Sequence, residues 1–304
     1  MIDLYDILFG VIGALIVFIV PPYLDGISRR VKARIQYRIG PPLSQTWYDL
    51  RKLFGLPSVL PTDSGLFKWA PYLALASALT AAFMLPFGGY ALFNYSNNLI
   101  VFFYVVVMVS VFLMLAGFSV QNAFSHIGST REMTLLLTVE PLLAVVYGVF
   151  AYNSGSLNIL GIAMNLKPTV SLVLAYIVLF YALYMESGFV PFDVAEAEQE
   201  VIGGPLAEYS GRLLGVFYYA IYIKRFTLLW LFSTFIVLPF CKPLTPEKAA
   251  IALPLQLLIV FGLYPVIASL EATNARLRID HIVKTNVKVF FISLAILAMA
   301  FVGW

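Results

Sequence analysis

The connection between two apolar stretches of this sequence, residues 190–212, carries the side chains best suited to proton exchange. Between Pro191 and Gly211 it contains no lysine or arginine and five acids: Asp193, Glu196, Glu198, Glu200 and Glu208. On a helix, Asp193, Glu196 and Glu200 would share one face, where like charges repel. Such carboxylates must be solvated, paired with arginines, or partly protonated with raised, coupled pKa values. The pattern therefore indicates either a proton-exchanging cluster or a solvated acidic loop.

Four ionisable residues lie inside or at the end of apolar stretches, where a charge costs about 2.5–3.5 kcal/mol at the bilayer centre. At 1.5 Å per residue, Glu140 lies roughly 11 Å into one stretch, and Lys224 and Arg225 roughly 17 Å into another. Glu186 stands near the end of a third stretch. We predict that Glu140, Glu186 and Lys224 continue an ion pathway from the acidic connection into the membrane. The alternative is a set of buried ion pairs that only fix helix packing.

Basic residues dominate the connection that follows the first apolar stretch. Five of them precede Gly40-Pro41-Pro42, which must end a helix: Arg29, Arg30, Lys32, Arg34 and Arg38. Every fourth residue from Arg30 to Arg38 is an arginine, so three of them share a helix face. Two interpretations stay open. The run is a positive-inside signal in contact with anionic lipid, or it is a docking face for the acidic connection and a cytoplasmic partner.

The composition indicates that lipid is the solvent for most of this chain. Of its 304 residues, 61% are hydrophobic and 12% are charged, against about 25% charged in soluble domains. These values exclude a soluble enzyme and a nucleic-acid-binding protein. We predict an all-α polytopic membrane protein with one membrane domain over residues 1–304. Its eight transmembrane helices would lie near 4–23, 69–88, 99–119, 133–152, 170–189, 213–239, 250–269 and 289–304.

The distribution of positive charge predicts the orientation in the cell membrane. Connections 24–68, 120–132, 190–212 and 270–288 hold 14 of the 19 lysines and arginines. The connections on the opposite side hold three: Lys167, Lys242 and Lys248. Because positive residues accumulate on the cytoplasmic side, we expect these four richer connections in the cytoplasm and both termini outside.

Redox cofactors are expected in other chains. With Cys241 as its one cysteine and only two histidines, the sequence cannot form an intrachain disulfide, an iron–sulfur cluster or a structural zinc site from its own thiols. We therefore predict no cofactor and no metal site in this chain.

Several motifs, in order along the chain, resemble those of one family. The pattern PFD-x2-E-x-E-x-E-x7-E-Y begins at Pro191, and a glutamate precedes it by five residues. Gln36-x-Arg38-x-Gly40-Pro41 follows the first span, and Ala272-Thr273-x2-Arg276-x-Arg278-x-Asp280 precedes the last. Together they resemble the eight-helix heel membrane subunit of respiratory complex I and its relatives in energy-converting membrane-bound hydrogenases.

The resemblance implies a non-redox membrane subunit of an oxidoreductase complex, with no catalytic centre of its own. It would dock a cytoplasmic iron–sulfur small subunit and a catalytic large subunit, beside antiporter-like membrane subunits and lipid. The iron–sulfur clusters and a nickel–iron centre would belong to those partners. It would couple electron transfer to ion translocation. Docking residues implied in this way, together with the basic run, are Arg131, Glu132, Arg276, Arg278 and Asp280.

Departures from the family pattern indicate a branch. Residues 128–133 resemble the hydrogenase relatives, and the combination is similar to the archaeal ferredoxin-linked membrane-bound hydrogenase or its sulfur-reducing relative. Phe189 and Ile221 replace an arginine and a glutamate of complex I, which argues against a quinone site of that kind. A quinone-site subunit, a sulfur-reductase subunit, a non-transporting anchor and an independent secondary transporter remain as alternatives.

Overall fold

The computed structural model describes residues 4–91, 93, 98–242 and 245–303, without the side chains of Leu4, Asp6, Glu198 and Gln199. Within these ranges the chain forms helices and no strand. The helices are α1 (Leu4–Ile35), α2 (Gln45–Gly55), α3 (Gly65–Phe83), α4 (Asn98–Phe118), α5 (Ala123–Ser154), α6 (Ile159–Asn165), α7 (Val170–Glu186), α8 (Glu198–Val201), α9 (Gly211–Val237), α10 (Pro246–Thr273) and α11 (Ile279–Val302). Short 3-10 turns cover Gly204–Leu206 and Leu238–Cys241.

Seven of these helices are long and apolar enough to cross a membrane: α1, α3, α4, α5, α9, α10 and α11. The 17-residue α7 is apolar but shorter. Each of the eight falls on one predicted apolar stretch, so the all-helical class is confirmed. Eight crossings and the outward position of both termini stay predictions.

Three helices extend well beyond the predicted apolar limits. Helix α1 continues through Pro21 and Pro22 to Ile35, while α5 and α11 each begin ten residues before the predicted spans. The extra turns carry polar and charged residues, which a search for apolar runs rejects although they favour a helix. Parts of the predicted connections 24–68, 120–132 and 270–288 are therefore extensions of these helices.

Helix α9 is the central element of the fold. In its most apolar window 83% is buried, against 22–50% for the other six long apolar helices. It packs against α1, α2, α3 and α10. Helix α3 presents buried alanines such as Ala74 and Ala78, and small residues let membrane helices approach closely. As a result, residues in the middle of α9 lie at the centre of the protein.

The acidic connection folds back onto α5 instead of continuing as a long helix. Before α9 its α-helical part is limited to α8, and the 3-10 turn Gly204–Leu206 follows. A Cβ atom on Gly128 would lie 2.6 Å from Cα of Gly204, and one on Gly204 would lie 1.9 Å from the Ala195 carbonyl oxygen. Because φ of Gly204 is also positive, at +54°, glycine is needed there for both conformation and space. These contacts clamp the connection to the helix that carries Glu132.

Candidate functional site

A cavity of about 50 Å³ lies between α4, α5, α7, α9 and the acidic connection. Its charged lining consists of Glu132, Glu186, Asp193, Glu196, Lys224 and Arg225. Most of the remaining lining is apolar, including Leu113, Val139 and Ile221. Since a single water needs about 10–15 Å³ of such volume, the cavity can hold several water molecules. Four acids and two cations thus surround one hydratable space.

The innermost polar contact in this cavity is an ion pair between α7 and α9. Nζ of Lys224 lies 2.7 Å from Oε1 of Glu186, and the two side chains are 7% and 2% exposed. The ammonium also donates a hydrogen bond of 2.6 Å to Oγ of Ser110 on α4. The Ser110 side chain is in turn hydrogen-bonded to Glu132 on α5. Four helices are therefore joined by one short polar chain.

Asp193 and Glu196 form the side of the cavity nearest to the acidic connection. Oδ2 of Asp193 accepts a hydrogen bond of 3.0 Å from Nη2 of Arg276. Burial raises the pKa of Asp193, although the charge of Arg276 opposes the shift. Burial and the charge of Asp193 together raise the pKa of Glu196 to about 7. Glu196 consequently changes its protonation state near neutral pH.

Arg225 connects the cavity to the end of α7. Its Nε donates to the Ser187 carbonyl at 2.9 Å and its Nη2 to the Gly188 carbonyl at 3.1 Å. The guanidinium carbon lies 4.7 Å from the centroid of the Phe189 ring, a cation–π contact. Arg225 also interacts electrostatically with Glu196. Its position therefore ties the last turn of α7 to the acidic connection.

The other acids of the predicted cluster do not enter this cavity. Glu200 is exposed and pairs with Nη1 of Arg131 at 2.6 Å. Glu208 accepts a hydrogen bond from Asn122, the residue that precedes α5. The side chain of Glu198 lies outside the described part of the structure. Of the four acids in this cluster whose side chains the structure describes, Asp193 and Glu196 reach the cavity.

Two residues of α5 occupy positions that differ from their expected surroundings. Glu132, grouped with the docking residues, lines the cavity beside Glu186 and Lys224. This position follows from the extension of α5. Glu132 lies in the extension, on the face that packs against the acidic connection. Glu140 lies two turns further along α5 and is not part of the cavity lining. It still interacts electrostatically with Glu186 and Lys224.

The predicted docking arginines differ in how they are held. Arg29 bridges Asp25 and Asp49 with two contacts of 2.8 Å, so it joins α1 to α2. Nε of Arg30 donates to the Pro41 carbonyl, whereas Arg34 is exposed.

The turn that follows α1 is exposed at its tip. Tyr37 and Ile39 are fully exposed there, on either side of the exposed Arg38. At the other predicted docking segment, Arg278 pairs with Asp280 at 3.0 Å and both side chains are exposed. Docking at these two exposed segments stays a prediction.

Residue spacing did not identify several members of these networks. The sequence places Arg225 at membrane depth without indicating a role for it, and no spacing pattern distinguishes Ser110 or Glu271. Glu271 is 6% exposed and pairs with Nζ of Lys32 at 2.7 Å, while Ser28 donates to it at 3.2 Å. An acid in the last turn of an apolar helix is a signal that would have found Glu271.

Comparison with known proteins extends the motif resemblance to the whole chain. The family model for NADH dehydrogenase matches residues 8–303. The chain is 33% identical to hydrogenase-4 component C of Escherichia coli, over 99% of this chain and 97% of that one. It is 36% identical to formate hydrogenlyase subunit 4 of the same organism, over 90% and 92%.

The fold is shared with a solved structure. A chain of the membrane-bound sulfane sulfur reductase, an archaeal respiratory membrane complex, superposes with a TM-score of 0.82. That match covers 98% of this chain and all of the other at 23% identity. The seven long apolar helices and these matches identify a multi-pass protein of the cell membrane. The chain belongs to the NADH dehydrogenase family of membrane subunits.

Proposed function

We propose that this chain docks a cytoplasmic redox module and couples its electron transfer to ion translocation. The observation that carries the proposal is the buried Glu186–Lys224 pair, which faces the same cavity as Asp193 and Glu196 of the acidic connection. Family membership supports a place in an oxidoreductase complex. The eight apolar helices would cross the membrane, with both termini outside and the acidic connection on the cytoplasmic side.

Coupling would rest on the competition of a proton and the Lys224 ammonium for the Glu186 carboxylate in a low-dielectric space. Removing one partner of a buried ion pair leaves the other charge uncompensated, at about 3–5 kcal/mol. A proton that reaches Glu186 from Glu196 through cavity water would therefore release Lys224. Ser110 and Glu132 are in position to receive the ammonium, because Ser110 already contacts it. Glu140 would extend this route along α5.

The partners would carry all redox chemistry. We expect an iron–sulfur small subunit and a catalytic large subunit with a nickel–iron centre on the cytoplasmic side, and antiporter-like subunits in the membrane. The exposed segment that includes Arg38 and the segment around Arg278 would contact the soluble partners. Two relatives at 33% and 36% identity are named for hydrogenase and formate hydrogenlyase. These names favour protons over a quinone or a sulfur compound as the electron acceptor. Ferredoxin as the electron donor is proposed from the motif resemblance alone.

A second candidate function is that of an anchor with no transport role. The two arginine pairs that pin the acidic connection, Arg131–Glu200 and Arg276–Asp193, favour it, since interface acids can serve assembly alone. In that case neutralising acids of the connection would alter only how much complex forms.

One experiment separates coupling from anchoring. The double variant Asp193→Asn with Glu196→Gln would be purified as the intact complex, reconstituted in vesicles, and assayed for ions moved per electron. Coupling predicts a lower ratio in the complexes that assemble. Anchoring predicts less complex with an unchanged ratio, and that result would overturn the proposal. Glu247→Gln, an exposed acid at the start of α10, is the matched control.

A further inference from the structure

A second open space lies on the outside of the molecule, between α5 and α11. This groove has a volume of about 820 Å³, within the range of about 300–1,000 Å³ typical of sites for small organic molecules. Ile127, Thr130 and Thr134 line it on α5, and Val283 and Lys284 line it on α11. The groove has no lining residue in common with the acidic cavity.

The groove and its continuation along α11 carry positive charge that nothing in the described residues neutralises. Lys284 and Lys288 are exposed one helical turn apart, and neither forms an ion pair with a described acid. The other charged groups at the groove are balanced locally. Asp280 is held by Arg278, and Arg131 is held by Glu200.

The depth of these lysines places them at the edge of the hydrocarbon layer. The 24 residues of α11 span about 36 Å, and the hydrocarbon core is about 30 Å thick. Lys284 lies roughly 8 Å and Lys288 roughly 14 Å from the start of the helix. With the far end of α11 at the opposite boundary, Lys284 lies at the interface and Lys288 about 8 Å, or roughly one and a half turns, inside it. A lysine there extends its ammonium toward the interface and needs an anion.

Apolar side chains continue the same faces toward the membrane centre. Leu137 on α5 is 65% exposed, as is Phe291 on α11, and Val287 is 48% exposed. Cations at one end and apolar contacts below them complement a molecule with an anionic head and hydrocarbon chains.

We propose that this groove binds an anionic phospholipid, with its phosphate held by Lys284 and Lys288 and its chains lying along α5 and α11. Charge complementarity favours a lipid over a neighbouring protein. A protein segment that lies along this groove would have to bury carboxylates at the edge of the hydrocarbon layer. An anionic phospholipid presents its phosphate just outside that edge, where the extended lysine side chains reach. Each lysine near an anionic membrane surface contributes about 1 kcal/mol, so removing two lowers the preference for anionic lipid by roughly tenfold or more.

The test uses the intact complex that contains this chain, in vesicles of phosphatidylcholine with photoreactive phosphatidylglycerol as the probe. After irradiation, labelled peptides of α5 and α11 are quantified by mass spectrometry. We expect labelling of both helices, competed by unlabelled phosphatidylglycerol but not by phosphatidylcholine. In the double variant Lys284→Gln with Lys288→Gln, this labelling should decrease by roughly tenfold or more. Lys167→Gln, which removes an exposed lysine from the opposite side, should lose none.

Three results would overturn the proposal. The first is equal labelling of the native complex and the double variant, and the second is equal competition by both lipids. The third is a carbodiimide cross-link from Lys284 or Lys288 to a carboxylate of another subunit without lipid labelling, which would assign the groove to a protein. If the double variant does not assemble, the competition arm on the native complex still decides. Lys288→Arg, which retains the charge, should keep the preference.

Discussion

Nζ of Lys224 lies 2.7 Å from Oε1 of Glu186, and both side chains are almost fully buried. The contact is an ion pair without the angles of a hydrogen bond, because Oε1 accepts none. Among the described residues, the ammonium donates its hydrogen bond to Ser110 instead. The Lys224 ammonium thus contacts side chains of both α7 and α4. A change of charge beside either helix can shift the ammonium toward the other.

Exchange of the two charges should be tolerated better than loss of one. Lys224→Met leaves Glu186 buried without a counter-charge, and we expect destabilisation of about 3–5 kcal/mol. Reversal of the pair, Glu186→Lys with Lys224→Glu, should recover part of that loss. Thermal unfolding of the purified complex measures both effects. Equal destabilisation by the single and the reversed variant would argue against a pairwise interaction.

The pH dependence of coupling should follow Glu196. Its pKa, raised to about 7, exceeds that of an unfolded glutamate, so the folded protein favours the protonated form, and this stabilisation is lost as pH rises through about 7. The groups that face it are Asp193, Glu132, Arg225 and Lys224.

In Glu196→Gln, the change in ion-to-electron ratio between about pH 6 and pH 8 should disappear, because the amide does not titrate. The ratio would be measured in vesicles at fixed ionic strength, with Glu247→Gln as the control. Persistence of the same pH profile would assign the titration to another group.

Arg225 should be needed for its shape as well as for its charge. Arg225→Lys keeps the charge but cannot reach both carbonyls at the end of α7 in the same way. Hydrogen bonds to charged groups contribute about 1.5–3 kcal/mol each, so we expect a loss of that order and faster proteolysis of the acidic connection. Limited proteolysis measures the cleavage rate of the Arg225→Lys variant. The control is Arg212→Lys, which changes an exposed arginine one residue into α9. Equal cleavage rates would contradict the bracing role.

Gly128 should tolerate no side chain, whereas another glycine of the same helix should. Gly128→Ala places a methyl group 2.6 Å from Cα of Gly204, and overpacking of this kind costs about 1–3 kcal/mol. Gly148→Ala meets no atom within 4 Å and should be neutral or stabilising by up to about 1 kcal/mol. Thermal unfolding of both complexes gives the comparison. Equal stability of the two variants would show that the connection can move away from α5.

Apolar runs are sufficient to predict the eight apolar helices, but not how far they extend, and they do not indicate the short helices α2, α6 and α8. The turns of α5 before residue 133 mix polar and apolar residues, so the limit drawn from apolar runs leaves Glu132 outside the predicted span 133–152. The orientation of Glu132 depends on the packing of the acidic connection against Gly128. This contact joins residues that are distant in sequence, so spacing does not reveal it.

The acidic spacing indicated a shared face for three acids, and the structure divides them. Val194 and Ala195 turn the chain back onto α5, so Asp193 and Glu196 face the cavity while Glu200 stays exposed with Arg131. A helical projection cannot anticipate this, since the helix is limited to α8. The pairing of Glu186 with Lys224 likewise required the positions of α7 and α9, because spacing gave only their depths.

The central claim, that ion movement depends on the Glu186–Lys224 pair, is tested most directly with Glu186→Gln. The intact complex would be reconstituted in vesicles, and electrons transferred and ions moved would be recorded on the same sample. A lower ion-to-electron ratio with assembly retained is the result predicted here, because the amide can neither hold the ammonium as a charge partner nor take up a proton. An unchanged ratio at normal assembly would contradict the account and leave this pair a structural contact.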